Sequence, residues 1–427
     1  MITTYKPSSL GELIQYYRKQ AKMTLVQLET LSEVDKANLS RIESGQIKRP
    51  SLANIQKIGS VLHIPFEELI EQYIEVEERT NILFSIFNKL VQVGKNIDVI
   101  TKVARKTLEY STEDSLELVG ELYTKTGNIE DSTIRLALYQ VIINYSRAHG
   151  IMPYIAKGLL QTYLIERDDF TKLRSTYVSG KGILFFEDFL SSEERGVIYY
   201  KLEVHAYNLY LFEESIEMGK KALDSTISDI RMQANTIYII CNCYYYLGDY
   251  VQTKKYLDLY KEFSLPEVKD NTYLIEAVLY SASGSHQSAI SILQENLPIC
   301  GNYTLPHVVN LLINLYLQEN RISEIEELLQ LEEKILANTY VTPFKKAELG
   351  HYFKLKGDYF ILTNRTEDGI NYYLEAATRY SNVDLIAKES ECLRLIMNIH
   401  TNNKEKMNIL TIEKLENYLN CKSKTSN

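Results

Sequence analysis

Tryptophan is absent from the 427 residues, and the two residues that most often interrupt helices are scarce, with eight prolines and eighteen glycines. A sandwich or barrel built from many tight turns needs more of both, so the scarcity argues against a β architecture. The five cysteines, at 241, 243, 300, 392 and 421, form no C-x-x-C pair and no even framework. That excludes a disulfide-stapled fold and points to a reducing compartment. Cys241 and Cys243 are two apart on a helical stretch and so face different ways, which suits packing better than metal binding, with Cys243 the more tolerant of the two. No apolar run approaches the length of a membrane span, and no basic stretch followed by an apolar one opens the chain, so the protein is expected in the cytoplasm and off the membrane. The seven histidines include no H-E-x-x-H or H-x-x-x-H pair, and no G-x-x-x-x-G-K or G-x-G-x-x-G loop occurs. No enzymatic activity, metal or cofactor is therefore expected.

What is present points to helices. Apolar residues make up 45 % of the chain and aromatics 11 %, including 33 tyrosines, enough for well-buried cores in two or three domains. The net charge of −9 is unevenly spread. Residues 1–70 hold nine Lys or Arg against seven Asp or Glu, so a mildly basic head precedes an acidic body.

Within the head, residues 25–44, LVQLETLSEVDKANLSRIES, read as two short helices joined by a tight turn. Leu28, Leu31, Val34, Leu39 and Ile42 supply an apolar face, and Asp35 can cap a helix starting at Lys36. Lys36, Ala37, Asn38, Ser40 and Arg41 project from the other side of that helix, where the polar ones can hydrogen-bond base edges and phosphates. The same pattern would also serve an ordinary amphipathic pair with a solvated face. Leu10–Ile14 with Tyr17 and Arg18 add a helix before it, Gly45 stops the second helix, and Pro50-Ser51-Leu52 and Ile64-Pro65-Phe66 open two more. The run resembles the Xre/Cro class of helix-turn-helix domains over about 60 residues, through Leu28, Val34, Leu39-Ser40-Arg41-Ile42-Glu43, Gly45 and Pro50-Ser51-Leu52. Leu25 stands where that class usually has a phosphate-binding Gln, and Glu33 where it usually has the turn glycine. The resemblance implies a double-stranded DNA operator as partner and, given the small positive charge, a homodimer on two half-sites.

From Phe66 to about Lys95 the pattern stays helical, which predicts a linker helix over 71–97 between a head at 1–70 and a body at 98–427. The body repeats. Gly248, Gly284, Asn320 and Gly357 follow at intervals of 36, 36 and 37 residues, each preceded four residues earlier by an aromatic (Tyr244, Tyr280, Tyr316, Phe353). Leu257, Leu293 and Leu329 lie nine residues after the first three. Such a period means a solenoid of helical hairpins with these residues in the turns. The units resemble tetratricopeptide repeats, also through Gly120-Tyr123-Gly127, Cys241, Gly350 and Tyr359. Their Trp position carries Ile237, Tyr273 and Val309 instead. The expected fold is all-α: an Xre/Cro-type head and a tetratricopeptide solenoid.

In such repeats the ligand-facing positions lie thirteen, ten and six residues before the turn. Here they are Asn235, Tyr238 and Asn242; Asn271, Leu274 and Val278; and His307, Asn310 and Asn314. Five asparagines in register, where helix propensity would not place them, suit the C=O and N–H groups of an extended peptide. Asparagine is also simply common in a chain this rich in Ile, Lys and Tyr. Asp114, Glu117 and Glu121 share a face in the first repeat, read as a solvated or basic-peptide-selecting patch rather than a catalytic pair.

Head and body together resemble the RRNPP family of Gram-positive bacteria, on its NprR- and PlcR-like side. The resemblance implies a cytoplasmic quorum-sensing transcriptional regulator that binds DNA and is switched by a short signalling peptide held by Asn235, Tyr238, Asn242, Asn271, His307, Asn310 and Asn314. In that family the body can also bind a response-regulator protein. The alternative is an interaction protein of Rap type, whose solenoid binds a folded phosphorelay partner while the DNA-binding head is vestigial.

Overall fold

The computed structural model describes residues 7–93, 96–109, 114–225, 229–302, 304–402 and 409–425, and among these there is no strand. The chain forms two compact units that part between Ile165 and Glu166.

The first unit starts with five short helices: α1 (Leu10–Gln20), α2 (Leu25–Ser32), α3 (Lys36–Glu43), α4 (Leu52–Val61) and α5 (Phe66–Tyr73). Polar side chains set their starts. Ser9 caps α1, a reciprocal Thr24–Gln27 box caps α2, Asp35 accepts the Ala37 and Asn38 N–H groups at α3, and Ser51 caps α4. α6 (Thr80–Val93), α7 (Ile97–Glu109), α8 (Ser115–Gly127), α9 (Ser132–His149) and α10 (Met152–Glu166) follow. Leu28, Leu39, Ile55, Ile70, Phe87, Ile100, Leu122 and Ile142 belong to one continuous core, so the structural division falls well beyond the expected positions at 70 and 97.

The single linker helix expected over 71–97 is two helices, with residues 94 and 95 outside the described set. Glu77 is the reason for the break. Its fully buried carboxylate accepts the Tyr73 hydroxyl (2.6 Å), the backbone N–H groups of Glu78 and Arg79 (3.0 and 2.9 Å) and the Arg79 guanidinium. A side chain that takes the N–H groups of the next two residues forms a turn and withdraws them from a helix. Burial alone would raise this carboxyl, but Arg79 and Tyr73 hold it down at about 2.

The second unit opens with α11 (Leu173–Lys181) and continues as hairpins: α12 (Ser192–Asn208) with α13 (Phe212–Asp224), α14 (Ile230–Tyr246) with α15 (Tyr250–Tyr260), and α16 (Pro266–Ala282) with α17 (His286–Asn296). α18 (Leu305–Gln318) pairs with α19 (Ile322–Leu329). After the short α20 (Glu332–Leu336), α21 (Pro343–Leu362) pairs with α22 (Thr366–Ser381), and α23 (Ile386–Asn402) and α24 (Ile409–Thr425) follow. The solenoid of helical hairpins is thus observed.

One turn geometry joins the two helices of each hairpin. Tyr210, Gly248, Gly284, Asn320 and Asn364 are all left-handed, with φ between 57° and 78°. In each case the next N–H reaches back to the carbonyl four residues before the left-handed one: Ala206, Tyr244, Tyr280, Tyr316 and Phe360. The expected turn at Gly357 is therefore corrected to Asn364. Gly357 sits in the middle of α21, where the space a Cβ would need is filled by the Tyr373 ring at 2.7 Å and the Gly369 carbonyl oxygen at 3.2 Å. It is a packing glycine that lets α21 and α22 approach.

Cys241 and Cys243 are both fully buried, so the greater tolerance expected at Cys243 is not found: it packs with Ile216, Ile239 and Ile240. The Cys241 thiol donates to the Thr253 carbonyl in the adjoining helix, and burial pushes both thiols up to about 12.

Gly357→Ala is expected to lower stability by about 1–3 kcal/mol through overpacking against Tyr373. Urea unfolding should show an earlier midpoint with an unchanged slope; an unchanged midpoint would mean that the crossing is loose enough to absorb a methyl group.

Candidate functional site

Two surfaces hold the residues singled out from the sequence. In the head, Lys36, Ala37, Ser40 and Arg41 are exposed on α3 and Asn38 is half-exposed, while Leu39 and Ile42 on the opposite side are buried. Leu31, read as part of the apolar face, is instead 58 % exposed. The turn before α3 has the left-handed residue expected there, although it is Glu33 (φ 56°), tied to Lys57 at 2.8 Å.

Two contacts fix how α3 is held. Arg18 of α1 grips Glu43, the last residue of α3, through Nε–Oε1 (2.6 Å) and Nη2–Oε2 (2.7 Å) and also donates to the Met23 carbonyl, with both side chains largely buried. A bidentate guanidinium–carboxylate pair constrains direction as well as distance. Beside it Gly11 allows α1 to lie directly on the α3 backbone, since a Cβ there would fall 2.6 Å from the Ile42 carbonyl oxygen. The exposed face of α3 is thus presented on a rigid support.

The second surface is a groove of about 860 Å³ within the second unit. Asn235, Tyr238, Asn242, Asn271, His307, Asn310 and Asn314 all line it, as do Leu274 and Val278. They come from α14, α16 and α18, the first helices of successive hairpins. Tyr207 of α12 and Tyr245 of α14, equivalent positions in successive repeats, line it too, and the structure adds residues that the sequence pattern does not show: Asn208 of α12, Tyr246 of α14, and Phe344, Lys345, Glu348 and His351 of α21. α21 returns to α12, where Phe344 stacks on Tyr207 (ring centroids 4.6 Å apart) and its N–H donates to Asn208 Oδ1 at 3.1 Å.

The asparagines are less free than their register suggests. Asn235 and Asn271 donate to the Tyr200 and Tyr260 hydroxyls (2.9 and 2.8 Å), and Asn242 donates to the Tyr238 carbonyl of its own helix (2.8 Å). Asn310 donates to both the backbone oxygen (2.9 Å) and Oε2 (3.1 Å) of Glu348, and its own Oδ1 is buried without a partner. His307 Nδ1 lies 3.1 Å from the same Oε2. Burial would raise the Glu348 carboxyl, but His307, His351 and Asn310 outweigh it and hold it at about 2. Four amide nitrogens thus orient the groove wall, leaving mainly carbonyl oxygens and the Asn314 amide for a ligand. Asp114 of the first repeat caps α8, and Glu121 pairs with Lys125, which leaves this acidic face a solvated one.

Residues 14–69 match the sequence model of the Helix-turn-helix family. The HTH-type transcriptional regulator SinR of Bacillus subtilis (strain 168) is 31 % identical over 101 residues, which cover 24 % of this chain and 90 % of SinR. The chain belongs to the HTH-type transcriptional regulators. A further relative of this regulator, the HTH-type transcriptional repressor RghR of the same strain, is 28 % identical over 27 % of the chain and 89 % of its own length. Neither relative matches more than about a quarter of the regulator. Solved structures similar to it include a Rap protein complexed with competence and sporulation factor (12 % identity, 76 % of this chain and 99 % of that one, TM-score 0.40). PlcR of Bacillus thuringiensis in complex with the peptide PapR7 and DNA is another (17 %, 66 % and 98 %, TM-score 0.19). At such scores neither structure assigns a role to any residue of the regulator. Among the described residues, no helix is long and apolar enough to cross a membrane and no cluster of side chains could hold a metal ion.

Removing one partner of the Arg18–Glu43 pair leaves a charge in a nearly closed site, so Arg18→Ala should destabilise the head by about 3–5 kcal/mol. Replacing both, as Arg18→Met with Glu43→Leu, should recover most of the loss. Thermal unfolding of the single and double variants checks this, and equal losses in the two would show that the pair's charges are not what matters.

Proposed function

We propose that the regulator binds operator DNA as a homodimer through Lys36, Ala37, Asn38, Ser40 and Arg41, and that a short signalling peptide in the groove of the second unit switches it, in the manner of cytoplasmic quorum-sensing receptors. The observation that carries the peptide reading is the convergence of nine register positions from α14, α16 and α18 on one groove. Polar groups spaced along successive helices suit the repeating C=O and N–H groups of an extended chain better than a compact metabolite. Tyr207, Tyr238 and Tyr245 add broad contact area with little entropy to lose.

The switch is a shift between two populations of the dimer. To change DNA affinity a hundredfold, the peptide must bind one of them more tightly by about 2.7 kcal/mol. The functional division follows the head, 1–70, and the sensing body, 98–427, although the compact units divide elsewhere.

Arg41→Ala should weaken binding to DNA from upstream of the regulator's own gene by about 1–3 kcal/mol in a gel-shift titration, with helix content unchanged. Wild-type behaviour of that variant would remove Arg41 from the readout. Asn314→Ala should weaken peptide binding by about 0.5–1.5 kcal/mol in calorimetry on the full chain while sparing DNA binding in the absence of peptide. A peptide that binds both proteins equally would place the contacts elsewhere in the groove.

A further inference from the structure

We infer that the groove takes a peptide bearing a cationic nitrogen, either its free α-amino group or a Lys or Arg side chain, and that this nitrogen docks against Glu348 at the place where α18 and α21 meet. The inference rests on the peptide reading given above and adds to it a ligand chemistry and a place.

The first observation is the charge of the lining. Asp168, Glu267, Asp270 and Glu348 supply four carboxylates, against the basic side chains of Arg167 and Lys345 and the imidazoles of His307 and His351. The second is where one of these carboxylates is held. The Glu348 side chain is 11 % exposed, lines the groove, and has Oε2 fixed by Asn310 Nδ2 and His307 Nδ1, each at 3.1 Å. Those bonds leave Oε1 to face an incoming group. The third is the orphaned acceptor beside it. Asn310 spends its amide nitrogen on Glu348, so its Oδ1, in a residue only 2 % exposed, is buried with no donor. A carboxylate oxygen next to an unsatisfied amide oxygen asks for a group with several N–H hydrogens and a positive charge, which an ammonium or guanidinium supplies and a hydroxyl or carboxylate does not. Phe344, which lines the groove and stacks on His307 (ring centroids 5.9 Å apart), adds an aromatic ring of the kind that attracts a cation.

The test uses the full chain and a defined probe, a synthetic heptapeptide mixture randomised at every position. Retained peptides are recovered after equilibrium dialysis and sequenced by mass spectrometry. Three forms of the mixture are compared: free, Nα-acetylated, and Nα-acetylated with Lys and Arg omitted. The wild type should retain peptides from the free mixture and lose them from the last, with the acetylated form showing which nitrogen is used. Glu348→Gln should reduce retention on the order of tenfold or more, and Glu348→Asp, which keeps the charge, should lose less. If the wild type keeps peptides equally well from the mixture without any cation, the peptide reading stands and the Glu348 assignment falls. If it retains none from any mixture, the peptide reading itself falls and takes the assignment with it. Should Glu348→Gln fail to fold, the three mixtures on the wild type decide alone.

Discussion

The turn that closes each helical hairpin is the constraint on which the second unit depends. A residue forced to positive φ, followed by an N–H that reaches back to the carbonyl four residues before it, ends one helix and sets the direction of the next. Because the bond is made entirely by the backbone, the side chain at the left-handed position can vary, and Gly248, Gly284, Asn320, Asn364 and even Tyr210 all occupy it. The register of the first helix in each pair is then fixed relative to the turn. That is why residues at the same distance from successive turns fall on one wall.

The polar groups on that wall serve two purposes. Hydrogen bonds from Asn235 and Asn271 to tyrosine hydroxyls tie neighbouring helices together, and the Asn310–Glu348 bonds tie α18 to α21. Groups satisfied in this way hold their geometry before any ligand arrives, which reduces the ordering that binding would otherwise require. The head follows the same logic with different chemistry: Gly11 brings α1 onto α3 and the Arg18–Glu43 fork sets its direction, so a helix of eight residues is held rigidly enough to present a face.

Much of this was legible in the sequence. The caps of the head, its left-handed turn and its buried Leu28, Leu39 and Ile42 follow from local residue chemistry, and the groove wall follows from counting back from the turns. The fourth turn is ambiguous in the sequence because two copies of the pattern lie seven residues apart. Phe353 with Gly357 and Phe360 with Asn364 differ by about two helical turns and so point the same way. The apolar position nine residues on could have separated them: after Gly357 it is Thr366, but after Asn364 it is the buried Tyr373. Glu348 and Phe344 lie sixteen and twenty residues before Asn364, in the first turns of a helix longer than its counterparts, and so fall outside the register positions. Glu77 is hidden for another reason: it stands with Glu75, Glu78 and Arg79 in a charged stretch of a helical run, and only the fold reveals that one of the four is fully buried.

The return of α21 to α12 bears on the order in which the chain matures. Repeat arrays gain stability chiefly from neighbouring units, so hairpins can form as they leave the ribosome. The Phe344 stack on Tyr207 is different, because it joins the first hairpin to one made much later. The core of the first unit, whose members run from Leu10 to Tyr145, is complete long before Phe344 is synthesised. A growing chain therefore carries a finished head for much of its synthesis with one side of the groove in its second unit still missing.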